Sequence, residues 1–179
     1  MSTRIAVIGT GYVGLISAVG LADFGNSVIG ADIDESKVRK LRSGEPVIFE
    51  PGLAEYLRKN LDSGRLTFSS DVGEAVRSAS VVFNTVGTPP LASGEVDLSQ
   101  VYSVVDIIRE NLNGYKTIVT KSTVPVGTNR EISRRLELAA GEAQIDVVSN
   151  PEFLREGKAV QDFFHPDRIV IGCQTERAR

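Results

Sequence analysis

The sequence is poor in the residues that staple, anchor or bridge. It has one cysteine, which excludes an internal disulfide and fits a reducing compartment. No apolar run approaches the roughly 18 residues that would suggest a membrane span. Met1–Arg4 leads straight into Ile5–Ile8, which is too short for a signal-peptide core and ends at a glycine turn. A cytoplasmic location without membrane contact is therefore expected. Positive charge is not in excess: 20 Lys and Arg against 23 Asp and Glu give a net charge of −3. That balance removes the basic face on which nucleic-acid binding depends. There is no low-complexity segment, no solenoid-length repeat, and no metal site is expected. What remains is ordinary for a globular chain, 179 residues with 41% hydrophobic and 24% charged. Such a length buries roughly two-thirds of its unfolded surface in one domain without a staple.

Short apolar runs recur at Ile5–Ile8, Ser27–Ala31, Ser80–Phe83, Thr117–Thr120, Ile145–Val148 and Arg168–Ile171, with a weaker one at Arg65–Phe68. They are mostly continuous rather than alternating, as in parallel strands covered on both faces. Helical patterns lie between them at about Tyr12–Phe24, Glu35–Ser43, Leu53–Leu61, Val72–Arg77, Leu98–Asn111 and Asn129–Leu138. Thr128 with Glu131, and Asp97 with Gln100, have the spacing of a capping box or a close variant. This alternation predicts an α/β fold, a Rossmann-like doubly wound, mostly parallel sheet with helices on both faces.

The first run is followed by Gly9-Thr10-Gly11-Tyr12-Val13-Gly14. In G-x-G-x-x-G the first glycine permits a tight turn, the second lets backbone approach a pyrophosphate, and the third lets helix pack on strand. Phosphates then meet the amides and positive dipole end of the helix. The pattern alone is weak, but here it follows a strand, opens a helix, and is matched by Asp32, 23 residues after Gly9. A carboxylate there accepts from ribose hydroxyls and repels a 2′-phosphate, so NAD is expected over NADP. Lys37 is the counter-indication, because a lysine can help hold a phosphate.

In open parallel sheets, ligands bind beyond the carboxyl ends of the strands. Polar residues and prolines gather at that edge: Asn84–Pro90, Lys121–Pro125 and Asn150–Gly157. The Thr85–Pro90 loop suits a plain turn as well as a cofactor contact. The same holds for Lys121-Ser122-Thr123, whose hydroxyls could orient a nicotinamide, a substrate or a water. Glu152 and Glu156 flank Arg155 near the start of a short helix. Two carboxylates there suit a reaction with proton transfers, because taking hydride from an alcohol also releases a proton. They also suit a helix start favoured by its dipole.

With these motifs assembled, the sequence resembles the UDP-glucose and GDP-mannose dehydrogenases along essentially its whole length. The likeness rests on Gly9–Gly14 with Asp32, Glu50-Pro51-Gly52-Leu53, Thr88-Pro89, Lys121–Thr128, Asn150–Gly157 and His165–Gly172. The Asn-Pro-Glu-Phe-Leu segment is the most specific of them. The resemblance implies oxidation of a sugar C6 alcohol to a carboxylate with two NAD and no release of the aldehyde. It implies NAD contacts from Gly9, Gly11, Tyr12, Val13, Gly14, Asp32, Lys37, Val86, Gly87, Thr88, Pro89, Ser122, Thr123 and Glu156. Thr123 would position the reacting water, and Glu152 would be the acid/base that helps water cleave a thioester. Glu152, Phe153, Leu154, Arg155 and Glu156 would also touch a nucleotide sugar. Flanking details favour UDP-glucose, with GDP-mannose and UDP-N-acetylmannosamine as alternatives.

Such chemistry needs a thiol to hold the intermediate between two hydride steps. In the family it lies in a glycine-rich C-terminal segment, with a lysine and an asparagine on a central helix that usually forms the dimer; none is found here. Cys173 follows an apolar run and reads as a small hydrophobe at a strand end. His165 reads as a turn before the last strand. Residues 1–179 are therefore expected to be the NAD-binding domain of a longer, homo-oligomeric enzyme whose C-terminal domain supplies the nucleophile, the fragment alone being inactive. A stand-alone NAD-binding module without chemistry is a further reading. A 3-hydroxyacid dehydrogenase is another, but it would not need Asn150-Pro151-Glu152.

Overall fold

The protein is described by a computed structural model covering residues 2–140 and 144–179. Strand β1 (Arg4–Ile8) shows why the apolar runs are continuous. Ile5 and Val7 enter one hydrophobic cluster, while Ala6 and Ile8 enter another on the opposite face. The chain continues through α1 (Tyr12–Asp23), β2 (Ser27–Ala31), α2 (Glu35–Arg42), α3 (Leu53–Asp62), β3 (Leu66–Ser69), α4 (Val72–Ser78) and β4 (Val81–Asn84). It ends with α5 (Ser99–Glu110), β5 (Lys116–Thr120), α6 (Thr128–Ala140), β6 (Ile145–Ser149) and α7 (Ala159–Phe164). Among the described residues, six strands run in the order β3-β2-β1-β4-β5-β6, each paired parallel with its neighbours. This is the expected doubly wound Rossmann-type sheet.

Helices α1, α2, α3 and α7 pack on one face, and α4, α5 and α6 on the other. Local chemistry starts several of them. Asp34 caps α2 by accepting from the amides of Ser36 (2.9 Å) and Lys37 (3.1 Å), and Asp71 caps α4 through the Glu74 amide at 2.8 Å. Asp97 accepts from the Ser99 amide at 2.8 Å at the start of α5. In α6, Glu131 turns to Arg134 and Arg135 rather than back to the helix start. Gly20 lets α7 sit on α1, because a Cβ there would lie 2.1 Å from the Phe163 ring.

Three expectations are corrected. The run Arg168–Ile171 is not a strand. Among the described residues, the bridge beside it lies just past its end, where Ser149 and Gly172 exchange antiparallel amide bonds of 2.8 Å. Further along, Pro151 has no N–H to donate, and the Asn150 side chain donates through Nδ2 to the Val170 carbonyl at 2.9 Å instead. Ile169 and Ile171 stay exposed, at 68% and 55%. Cys173 consequently ends no strand and is half-buried. Thirdly, Glu152 and Glu156 precede α7, which starts only at Ala159, so they are loop residues rather than helix-start acids.

Among the described residues, no helix is long and apolar enough to cross a membrane.

Candidate functional site

Strand order reverses between β1 and β4, and ligands bind open α/β sheets at such a point, beyond the carboxyl ends of the strands. There the glycine loop is fixed by sterics. Gly9 has φ +92°, and a Cβ on it would meet Val86 Cγ1 at 2.8 Å. A Cβ on Gly14 would lie 1.8 Å from the Gly9 carbonyl oxygen and 2.6 Å from Thr85 Oγ1. Thr85 Oγ1 lies 2.8 Å from the carbonyl oxygens of both Ile8 and Gly9, pinning the loop to β4. Gly11 differs, because a Cβ there would meet nothing within 4 Å. Its missing side chain faces open space at the N-terminus of α1, which has no side-chain cap and no acid in its first turn. Tyr12 and Val13 form that turn. Uncapped amides, a dipole and a clear approach are what a pyrophosphate requires, so these residues fit a dinucleotide.

Asp32 stands at the end of β2, nearly buried at 7% exposure. Its Oδ2 accepts from the Thr10 amide (2.8 Å), the Thr10 hydroxyl (3.0 Å) and Lys37 Nζ (2.8 Å), while Oδ1 accepts from the Asp34 amide at 3.1 Å. Burial opposes its ionisation, but the Lys37 ammonium and these donors outweigh burial and hold the carboxyl below its ordinary value. Lys37 is thus the counter-ion of Asp32. Thr10, the unremarked residue inside the glycine motif, joins the two loops.

The next two loops are tied together. Ser122 Oγ donates to the Val86 carbonyl at 2.7 Å, and Thr88 Oγ1 donates to the Thr123 carbonyl at 3.0 Å. Pro89 accepts from the Asp97 amide at 2.9 Å, Gly87 is exposed, and the Thr123 side chain faces outward. The loops after β4 and β5 therefore form one rim beside the glycine loop.

The Asn150–Gly157 loop closes the far side. Glu152 is half-buried, with Oε2 accepting from the Leu154 amide at 2.6 Å. Lys121, 8% exposed, donates to Asn150 Oδ1 at 3.2 Å. Burial lowers the Lys121 ammonium, and the Glu152 carboxylate partly counters that. Both residues line a cavity of about 300 Å³ between α1, this loop and the segment after α7. Leu154 packs into the core, and the exposed Phe153 ring lies 4.8 Å beneath the Arg168 guanidinium. Arg155 is engaged with Asp162 through Nε (3.0 Å) and Nη2 (2.6 Å), and that guanidinium holds the Asp162 carboxyl down to about 2. Glu156 is exposed on the glycine-loop side, where its charge, after burial and Glu50, helps raise the Tyr12 phenol. His165 ends α7, exposed.

Sequence reasoning gave Thr10 and Glu50 no role beyond their motifs and left Thr85 in a loop that suited a plain turn as well as a cofactor contact, although all three hold the site together. For Thr85 the usable signal was its place directly after β4 at the strand-order reversal.

A family model described as the NAD binding domain of the UDP-glucose/GDP-mannose dehydrogenase family matches residues 3–179. The UDP-glucose 6-dehydrogenase TuaD of Bacillus subtilis (strain 168) is 49% identical over 98% of this chain and 38% of its own length. A UDP-glucose 6-dehydrogenase of Rhizobium meliloti (strain 1021) is 51% identical over 98% of this chain and 40% of its own. Among solved structures, a UDP-glucose dehydrogenase from Pyrobaculum islandicum superposes with a TM-score of 0.94 at 45% identity, over 99% of this chain and 42% of that one. A GDP-mannose dehydrogenase from Pseudomonas aeruginosa follows at 0.92 and 35%, over 98% and 42%. The chain thus spans about two-fifths of the length of these relatives.

Proposed function

The chain belongs to the UDP-glucose/GDP-mannose dehydrogenase family as its NAD-binding domain, and we propose that it is the cofactor half of a UDP-glucose 6-dehydrogenase, which converts UDP-glucose, two NAD and water to UDP-glucuronate and two NADH. Among solved structures, identity of 45% to a UDP-glucose enzyme against 35% to the GDP-mannose enzyme supports that sugar. The observation that carries the reading is the junction of two halves at one edge. A sterically locked glycine loop that fits a dinucleotide faces a loop bearing Glu152 beside a buried Lys121.

In this reading NAD supplies the hydride acceptor. The α1 amides from Gly11 to Gly14 would hold the pyrophosphate, and Asp32 would meet the adenosine ribose with Lys37 alongside. Val86, Gly87, Thr88, Pro89, Ser122 and Thr123 would line the nicotinamide end with Glu156. Glu152 would serve as the acid/base of the water step that cleaves the thioester, passing the proton on to solvent, with Lys121 as its neighbour. Thr123 presents its outward hydroxyl to the reacting water. The segment Glu152–Glu156 meets the nucleotide sugar, which requires Arg155 to share or leave Asp162. The covalent step needs a thiol from the portion of the relatives beyond this region, because Cys173 lies outside the cavity-lining residues. The whole enzyme is a cytoplasmic homo-oligomer in this proposal.

Calorimetry of the 179-residue chain with NADH and NADPH tests the cofactor assignment: NADH binding with NADPH at least about tenfold weaker is expected, since Asp32 opposes a 2′-phosphate. The chain alone should not oxidise UDP-glucose. Turnover by the chain alone, or equal binding of both cofactors, would refute the reading. Comparing UDP-glucose, GDP-mannose and UDP-N-acetylmannosamine as substrates of the full-length protein settles the sugar.

A further inference from the structure

Glu50 precedes the turn that starts α3, and it is 6% exposed. A carboxylate so buried needs donors, and it has them from two separate parts of the site. Its Oε1 accepts from the Tyr12 hydroxyl and from the Gly157 amide at 2.6 Å, and its Oε2 accepts from the Ala159 amide at 3.1 Å. Tyr12 belongs to the glycine motif, whereas Gly157 and Ala159 end the loop that carries Glu152 and Glu156. The Tyr12 hydroxyl also lies 3.4 Å from the Arg155 carbonyl oxygen of that loop.

We propose that Glu50 is a positioning residue that couples the two halves of the site, holding the Asn150–Gly157 loop to the first turn of α1 through Tyr12. Cofactor binding at the glycine loop and the placement of Glu152 and Glu156 then depend on one another. The inference rests on the reading that this loop holds NAD. A simple cap for α7 would need the two amides but not the phenol; the phenol is what reaches the dinucleotide loop.

The test compares the parent chain with E50Q, Y12F and the double variant. Each single change should weaken NADH binding by about fivefold, and the double by no more than about fivefold, because both cut the same link. Amide exchange at Gly157 and Ala159 should quicken about tenfold in Y12F as well as in E50Q, with β1 amides unchanged. A cap-only role moves exchange in E50Q but not in Y12F, and leaves NADH affinity alone; that result, or multiplied effects of about 25-fold in the double, overturns the proposal. If the parent chain binds no NADH, the proposed function fails. The coupling is then judged by exchange: acceleration in Y12F upholds it, and none overturns it.

Discussion

Strand β5 is flanked by two buried lysines that keep opposite company. Lys116, at its start, is 2% exposed and donates to the Ala79 carbonyl at 2.6 Å. Lys121, just past its end, is 8% exposed, donates to the Asn150 side chain and lies near Glu152. Burial lowers both ammoniums; Arg4 lowers the first further, whereas Glu152 raises the second. A depressed lysine alone therefore distinguishes nothing. The difference lies in the edges. At the amino edge, backbone groups join strand starts directly, as in Ser27 to Thr3 (3.0 Å), Ser80 to Arg4 (3.0 Å) and Thr117 to Ser80 (2.9 Å). At the carboxyl edge the strand ends are also joined by backbone groups, as in Gly9 to Ala31 (2.8 Å), Thr85 to Ile8 (3.0 Å) and Asn150 to Thr120 (3.0 Å), and side chains add further ties between the loops: Thr10, Thr85, Thr88, Ser122, Asp32 and Glu50. Both edges are closed by the ladder, and the carboxyl edge carries in addition a surface of side-chain ties that can be removed one at a time.

The sharpest way to break that contrast is within the glycine motif. Gly14→Ala forces a Cβ into the Gly9 carbonyl, so the loop and α1 must separate. We expect a loss of roughly 3 kcal/mol and a melting temperature lower by roughly 10 °C, with NADH binding abolished. Gly11→Ala meets nothing, and its φ of −72° suits any residue. It should melt with the parent yet bind NADH at least about tenfold more weakly, since its Cβ occupies the approach. Thermal unfolding and calorimetry on the pair check both. Equal melting temperatures for the two variants would show that the loop is not sterically locked.

The same contrast explains what was legible in the sequence. Features set by hard contacts or by local periodicity could be read: continuous strands such as β1, the glycine spacing, and Asp32 at its distance from Gly9. The edge strand β3 gave a weak signal because it alternates, with Leu66 and Phe68 buried and Thr67 exposed. Arg168–Ile171 misled because an apolar run says nothing of whether a partner can pair with it, and Pro151 blocks that ladder. Glu50 was marked by its place in the Glu50–Leu53 motif, but its partners were not. Its amide partners lie 107 and 109 residues further on, and no local pattern marks such a pairing. Arg155 looked free for a ligand until Asp162, seven residues on, took its guanidinium.

A middling effect is expected at Asp32, where acid should undo the carboxyl edge selectively. Its folded carboxyl ionises below the ordinary value of about 3.9, so the ionised form favours the fold. That stability is present above about 3.9 and is lost as pH falls through the lowered folded value. Asp32→Ala also strands the Thr10 amide and should cost about 2 kcal/mol at neutral pH. Urea unfolding of parent and Asp32→Asn at descending pH tests the linkage. The gap between them should narrow below pH ~4, and a constant gap would contradict it.

The smallest effect belongs to the amino edge, where the charged form opposes the fold instead of favouring it. Lys116 titrates lower when folded than unfolded, because burial disfavours the ammonium. The unfolded chain therefore binds the proton more tightly, and stability rises with pH between the lowered value and the ordinary value of about 10.4. Lys116→Met removes that rise. It gives up one hydrogen bond to Ala79 but also a desolvated charge, so the net change near pH 7 should stay within about 1 kcal/mol. NADH affinity should not change, since Lys116 lies at the opposite edge from the glycine loop. Denaturant curves between pH 7 and 10, read beside NADH calorimetry, check both halves of the statement. If Lys116→Met altered cofactor binding as strongly as Gly11→Ala, the two edges would not be independent, and the division of labour argued from β5 would fail.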